Sequence, residues 1–177
     1  MKPPERIEAQ RLVLRLPRVD DAPVAFAKWT QDPEVTRFLT WRPHECVEQT
    51  QAFIHNCIAA WENETRFPFM LTLKEDDDVI GMIDPRVEGS EVGIGYVMAR
   101  ASWGKGDMTE AMRAIIDWAF TQPKIYRVYA TTDVENIASR RVMEKVGMQR
   151  EDVLRKYMLH PNISDVPRDC YIYAIVK

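Results

Sequence analysis

Six of the chain's seven glycines lie between Gly81 and Gly106, although the sequence runs to 177 residues. They fall in succession on a strand, a loop and the start of a helix, and that order constrains the fold more than any other feature. Glu91-Val92-Gly93-Ile94-Gly95-Tyr96-Val97-Met98 reads as a strand with two glycines inside it. Glycine within a strand marks a bulge or a close backbone approach by something else. After Trp103-Gly104-Lys105-Gly106, the residues Met108, Ala111, Met112, Ile115 and Ala119 recur on one helical stripe. The first N–H groups of a helix lack intrahelical partners and sit at the positive end of its dipole. Glycines just before them let several N–H groups converge on a phosphate, with Lys105 adding charge at the rim. Taken alone, Gly-x-Gly before a helix is more often a plain turn. Two familiar nucleotide loops are excluded: Met98 stands where a dinucleotide fingerprint needs its third glycine. Ala99 stands where a P-loop begins, and no Ser or Thr follows Lys105.

Composition removes further classes. The length suits a single domain spanning 1–177, and 46% hydrophobic residues can fill one core. Twenty-four basic against 27 acidic residues give a net charge of −3, so no overall basic field would hold a nucleic acid. No apolar run is long enough to cross a bilayer, and the first residues lack the apolar stretch of a secretory signal. Cys46, Cys57 and Cys170 are odd in number and widely spaced, which predicts no disulfide framework and a reducing, cytoplasmic setting. His44, His55 and His160 are too scattered for a zinc site, so no metal is expected.

Leu12–Leu16 alternates as a first strand, Asp20 and Asp21 start a helix through Trp29, and a second helix runs from about Cys46 to Trp61, with His55 facing out. Strands follow at Phe67–Leu73 and Val79–Asp84 around an acidic turn, then at Glu91–Met98, Arg127–Thr132, Val153–Leu159 and Cys170–Val176. Asn136 caps a helix that ends before Gly147. The result is an α/β (α+β) chain with a mixed sheet of about seven strands flanked by helices.

Three blocks carry a resemblance: Glu91 to Tyr96, Trp103 to Ala111, and Asn136 to Gly147. In this order they resemble the GNAT superfamily of acetyl-CoA-dependent N-acetyltransferases, in the branch that holds the ribosomal-protein N-terminal acetyltransferases. The resemblance spans roughly Leu12 to Val176. It implies a twisted, mostly antiparallel sheet in which the glycine-bearing strand splays from its neighbour, and acetyl-CoA as co-substrate. The pantetheine arm is then expected along Tyr96, Val97 and Met98, and the pyrophosphate on the N–H groups of Trp103, Gly104, Lys105, Gly106, Asp107 and Met108. Asn136 and Ser139 match family residues near the pantetheine and sulfur. Two residues depart from the branch. Asp107 replaces an aromatic or aliphatic residue and would repel a pyrophosphate if it faced one, and Met108 replaces a small residue.

N-acetylation needs a neutral amine, a polarised thioester carbonyl and a proton for the leaving thiolate. Glu91 is the candidate base, directly or through water, because strand alternation puts it on one face with Gly93 and Gly95. A solvated charge at a strand start is the competing reading. A backbone N–H near Val97 or Met98 would polarise the carbonyl. Ser139 is the candidate proton donor from the family match, with Tyr157 and Tyr126 as backups. Cys57 lies on an apolar stripe and Cys46 points away from His44, so direct transfer is favoured over an acetyl-cysteine route.

The acceptor is expected to meet the segment Trp29–Trp61 and the loop His160–Arg168. A protein N-terminal α-amine is favoured by the branch. A small amine such as a polyamine, amino acid or antibiotic is the alternative, and Asp107 with Met108 leaves a noncatalytic acyl-CoA-binding module as a third reading. The fold family also implies a homodimer through the terminal strands.

Overall fold

The computed structural model describes residues 1–177. The chain runs β1 (Arg6–Glu8), β2 (Leu12–Arg15), α1 (Ala22–Ala25), α2 (Pro33–Thr36), α3 (Val47–Glu62), β3 (Phe69–Leu73), β4 (Val79–Glu88), β5 (Glu91–Met98), α4 (Asp107–Thr121), β6 (Arg127–Asp133), α5 (Ile137–Lys145), β7 (Gln149–Met158) and β8 (Arg168–Val176). Eight strands form one mixed sheet in the order β1-β2-β3-β4-β5-β6-β8-β7, antiparallel everywhere except at β5–β6.

Strand alternation divides the core. Leu12, Leu14, Phe69 and Leu71 turn to the face covered by α4, where Met112, Ile115 and Ala119 of its apolar stripe are fully buried. Met70, Val79 and Met82 turn to the opposite face and meet Trp29, Ile54 and Cys57 from the helical segments before β3. Each fully buried side chain of this size stabilises the fold by roughly 1.5–3 kcal/mol, so a charge at Met112 or Trp29 would open one layer.

Three boundaries differ from the sequence reading. An eighth strand, β1, pairs with β2 and is too short to show alternation. The helix expected from Asp20 to Trp29 is broken into a tight turn, α1 and a wider turn over Phe26–Thr30. Asp21 accepts the Arg18 N–H at 2.7 Å at the start of the tight turn and also forms a buried pair with Arg15 at 2.6 Å. Finally, β4 continues past Asp84 through Pro85 to Glu88. Pro85 lies beyond the last paired residue of β3, so its missing N–H removes no ladder bond.

The feature that makes a site is the junction of β5 and β6. They pair only at Glu91–Arg127, Val92–Val128 and Gly93–Tyr129. Beyond that point β5 stays on β4 to Met98 while β6 stays on β8 to Asp133. The two strands diverge and leave a wedge between them.

Candidate active site

One edge of the wedge is free backbone. The Ala99 N–H donates to the Ile80 carbonyl at 2.9 Å. By alternation the amides of Gly95 and Val97 also turn toward β4, leaving those of Ile94, Tyr96 and Met98 on the open side. The Met98 carbonyl accepts the Trp103 indole N–H at 2.9 Å, which pins that half-exposed ring at the edge of the wedge.

Two cavities occupy the wedge. One, of about 460 Å³, runs from Tyr96, Val97 and Met98 to the loop before α4. Gly104 and Gly106 hold φ of +78° and +88° there, a region side chains rarely adopt. A Cβ on Gly104 would meet nothing within 4 Å, so the loop presents bare backbone to open space. No side chain caps α4, and its first-turn N–H groups therefore remain available to an anion. Arg37, Arg141 and Lys145 line the same cavity and outnumber its two carboxylates, Glu34 and Asp107.

Asp107 lies in the first turn of α4 but is turned away from the loop. Its buried carboxylate lies 2.9 Å from Arg11 Nη1, an ion-pair contact whose angle is not that of a hydrogen bond. Arg11 Nε also meets Glu110 at 3.0 Å, and Glu110 accepts the backbone N–H groups of Arg11 and Leu12 at 2.6 and 3.2 Å. The β1–β2 turn thus neutralises the acidic start of α4. Met108 is buried in the main core and also lines the cavity.

The second cavity, of about 400 Å³, lies toward the other face. Phe38, Trp41 and Phe53 form one wall, with Asp84, Arg66, Arg86 and His160 among the lining groups. Asn162 donates to the Thr36 and Trp41 carbonyls at 2.7 and 2.8 Å, tying the loop after β7 to the segment after α2. His160 is buried, its Nε2 lies 3.8 Å from Asp133 Oδ2, and its Nδ1 has no partner. Burial works to raise the Asp133 pKa, but hydrogen bonds from Arg168 and the Glu135 amide outweigh it and hold the carboxyl below its ordinary value.

The cavities share Phe38, Leu39, Tyr96, Val97, Asn136 and Ser139. At that junction Ser139 Oγ and the Tyr96 hydroxyl share a 2.6 Å hydrogen bond. Burial pushes the Tyr96 phenol up to about 12, partly offset by Ser139, so it stays protonated. Asn136 accepts the Ser139 N–H at 3.1 Å and caps α5.

Two cavities meet on a splayed strand, one of them ending at a glycine loop and an uncapped helix start. The family model for the acetyltransferase (GNAT) domain matches residues 11–149. The chain belongs to the GNAT family. It is 34% identical to the uncharacterised N-acetyltransferase p20 of Bacillus licheniformis over 98% of this chain and 97% of that protein. A crystal structure of a GNAT-family acetyltransferase from Bacillus anthracis superposes with a TM-score of 0.84 at 29% identity, covering 97% of this chain and 98% of that one. Mycobacterium smegmatis RimJ, solved with CoA-disulfide, shares the fold at a TM-score of 0.86 and 23% identity, over 99% and 90% of the two chains. This acetyltransferase therefore belongs to a family that uses acetyl-CoA. The cradle, the open β5 edge and the basic side chains fit that co-substrate.

Of the residues expected at the donor site, Tyr96, Val97, Met98, Trp103, Gly104, Gly106, Asp107, Met108, Asn136 and Ser139 all line the first cavity. Lys105 is exposed beside the cradle, its carbonyl taken by Arg11 at 3.3 Å. Glu91 lines neither cavity. It sits where β5 and β6 are still paired, with its carboxylate 3.0 Å from Arg127 Nε. The space expected beside Gly93 and Gly95 is occupied: a Cβ at 93 would lie 2.9 Å from the Tyr129 ring, and one at 95 would lie 3.5 Å from the Arg86 guanidinium. Tyr126 and Tyr157 also line neither cavity. Sequence reasoning missed Arg11, Asp84, Arg66, Arg86 and the position of His160. Asp84 alone carried a signal, a carboxylate ending the apolar run Val79–Ile83.

Proposed function

We propose that the chain transfers an acetyl group from acetyl-CoA, held in the first cavity, directly to a primary amine in the second. The observation that carries this is their meeting on Tyr96, Val97, Asn136 and Ser139. Acetyl-CoA supplies a thioester carbonyl and a thiolate leaving group. The Tyr96 and Met98 amides on the open β5 edge are the donors placed to polarise that carbonyl. The amine nitrogen forms the new C–N bond as the C–S bond breaks, and one net proton passes from nitrogen to sulfur.

His160 takes the base role in place of Glu91. Its Nε2 faces both Asp133 Oδ2 and Cys170 Sγ at 3.8 Å, too far from the carboxylate for a hydrogen bond. Nδ1 has no hydrogen-bond partner and is itself buried, so it takes a proton only where acceptor binding opens a path to it. Ser139 serves the sulfur: with the Tyr96 hydroxyl donating to Ser139 Oγ at 2.6 Å, shorter than its 3.3 Å reach to the Ser139 carbonyl, the Ser139 hydrogen is left to donate outward. Burial pushes the Cys57 and Cys170 thiols up to about 11, which leaves neither as a ready thiolate and supports direct transfer.

The acceptor is the α-amine of a polypeptide's first residue or a small-molecule amine. A 32% identity, over 48% of this chain, to a putative ribosomal N-acetyltransferase of Bacillus subtilis supports the first. The modest size of the second cavity, about 400 Å³, and its aromatic wall support the second. Thiol release from acetyl-CoA is expected with members of an amine panel covering both, with the acetylated amine recovered as product. Tight CoA binding without turnover on any amine would overturn the proposal.

A further inference from the structure

The charge of the second cavity is unbalanced. Its single lining carboxylate, Asp84, faces two guanidiniums, Arg66 and Arg86. Both reach the same oxygen, Oδ2, at 2.8 and 3.1 Å, while Oδ1 receives no donor. Neither arginine is therefore paired in the two-pronged manner that satisfies a guanidinium fork. Arg66 has only a 4.0 Å contact to Cys57 Sγ besides, and that thiol is neutral. Arg86 has no other side-chain partner, and its guanidinium lies beside Gly95 on the strand that leads to the junction. Two cations sharing one oxygen, Arg86 with its side chain about half exposed, leave a net positive charge and several unused N–H donors at a small cavity with an aromatic wall.

We infer that the acceptor carries an oxyanion close to its amine, a carboxylate or a phosphate, and that Arg66 and Arg86 bind it. This rests on the reading of the second cavity as the acceptor site. A planar guanidinium fork matches either oxyanion bidentately. The same charges disfavour a polyamine, whose second ammonium would meet the guanidiniums. The two sources of such a group are a free amino acid or phosphorylated amine, and a polypeptide whose first residue is acidic.

The test is calorimetric binding to the protein saturated with CoA, which has no acetyl group to transfer, using matched pairs of amines. Glycine is compared with glycinamide, O-phosphoethanolamine with ethanolamine, and a tripeptide beginning with Asp with one beginning with Asn. Putrescine serves as the dication. At least one anionic partner binds about ten- to a hundredfold tighter than its neutral twin, and the pair that shows the preference identifies the source. Arg86→Ala removes most of that preference, and Arg86→Lys restores only part of it, because charge without a fork is a poorer match. CoA affinity, set in the other cavity, reports that each variant is folded. Equal binding within every pair, or putrescine binding tightest, would overturn the inference. Thiol release run in parallel separates the two claims: transfer without anion preference removes this inference alone, and anion preference without transfer to any amine removes only the proposed reaction.

Discussion

Replacing Arg11 by alanine tests how this chain tolerates a carboxylate at the mouth of its phosphate cradle. Arg11 is the counter-charge to Asp107 at 2.9 Å and to Glu110 at 3.0 Å. Its own side chain is about half exposed, whereas Asp107 is 3% exposed. The direct stability loss is small, about 1 kcal/mol, because an exposed partner is screened. Glu110 keeps the backbone N–H groups of residues 11 and 12, so the turn stays docked. The larger effect is electrostatic. One uncompensated unit charge on the order of 8 Å from a bound phosphate, at an effective dielectric of about 20, is worth ~2 kcal/mol. That corresponds to roughly thirtyfold in affinity. Calorimetric titration should show CoA binding weakened about ten- to thirtyfold in Arg11→Ala, with the loss shrinking as salt is raised. Asp107→Asn in the Arg11→Ala background should recover most of it, and Asp107→Asn alone should not weaken binding. Unchanged affinity in Arg11→Ala, or an equal loss in Asp107→Asn alone, would refute the reasoning.

Other outcomes follow from the junction and the acceptor wall. Ser139→Ala should lower turnover about ten- to a hundredfold and leave CoA affinity within about twofold, at the modest end for acid catalysis because a thiolate is a fair leaving group. Stopped-flow thiol release and calorimetry read the two separately. His160→Gln keeps the size and polarity of the side chain but removes the base, so kcat/KM for thiol release should fall about a hundredfold. His44 packs against Trp41 and Phe53, and burial lowers its pKa from the usual 6.5. The sign follows from linkage: the unfolded chain binds the proton more readily. His44's contribution to stability is therefore present above about pH 6.5 and is lost as pH falls toward its folded value. An imidazole titration by NMR should show the low midpoint, and chemical denaturation of His44→Gln should lose that part of the pH dependence.

How far the sequence reached depended on whether a signal was local. The glycine loop and helix start were legible because Gly104, Gly106 and the α4 stripe lie within one short stretch, and the physics of a helix start acts within a turn. The Ser139–Asn136 cap was legible for the same reason. Glu91 was misjudged because alternation gives a residue's face and not its distance along the strand. It shares the face of Gly95, but the strands part only beyond Gly93. The Asp107–Arg11 contact joins residues far apart in the chain and left no local trace. The acceptor cavity is likewise assembled from β4, the segment after α2, α3 and the loop after β7, none of which is patterned by the others. Pro85 hid the last part of β4, since a proline is harmless there only because β3 has already ended.

The central claim is direct transfer between two cavities that meet at Ser139 and Tyr96. Its most direct measurement is intact-protein mass spectrometry together with CoA release, after mixing with acetyl-CoA in the presence and absence of an accepted amine. The account predicts no acetyl adduct on the protein and negligible CoA release without amine. With amine, one acetylated product should form per CoA released. An acetylated protein formed from acetyl-CoA alone, and discharged when the amine is added, would contradict it.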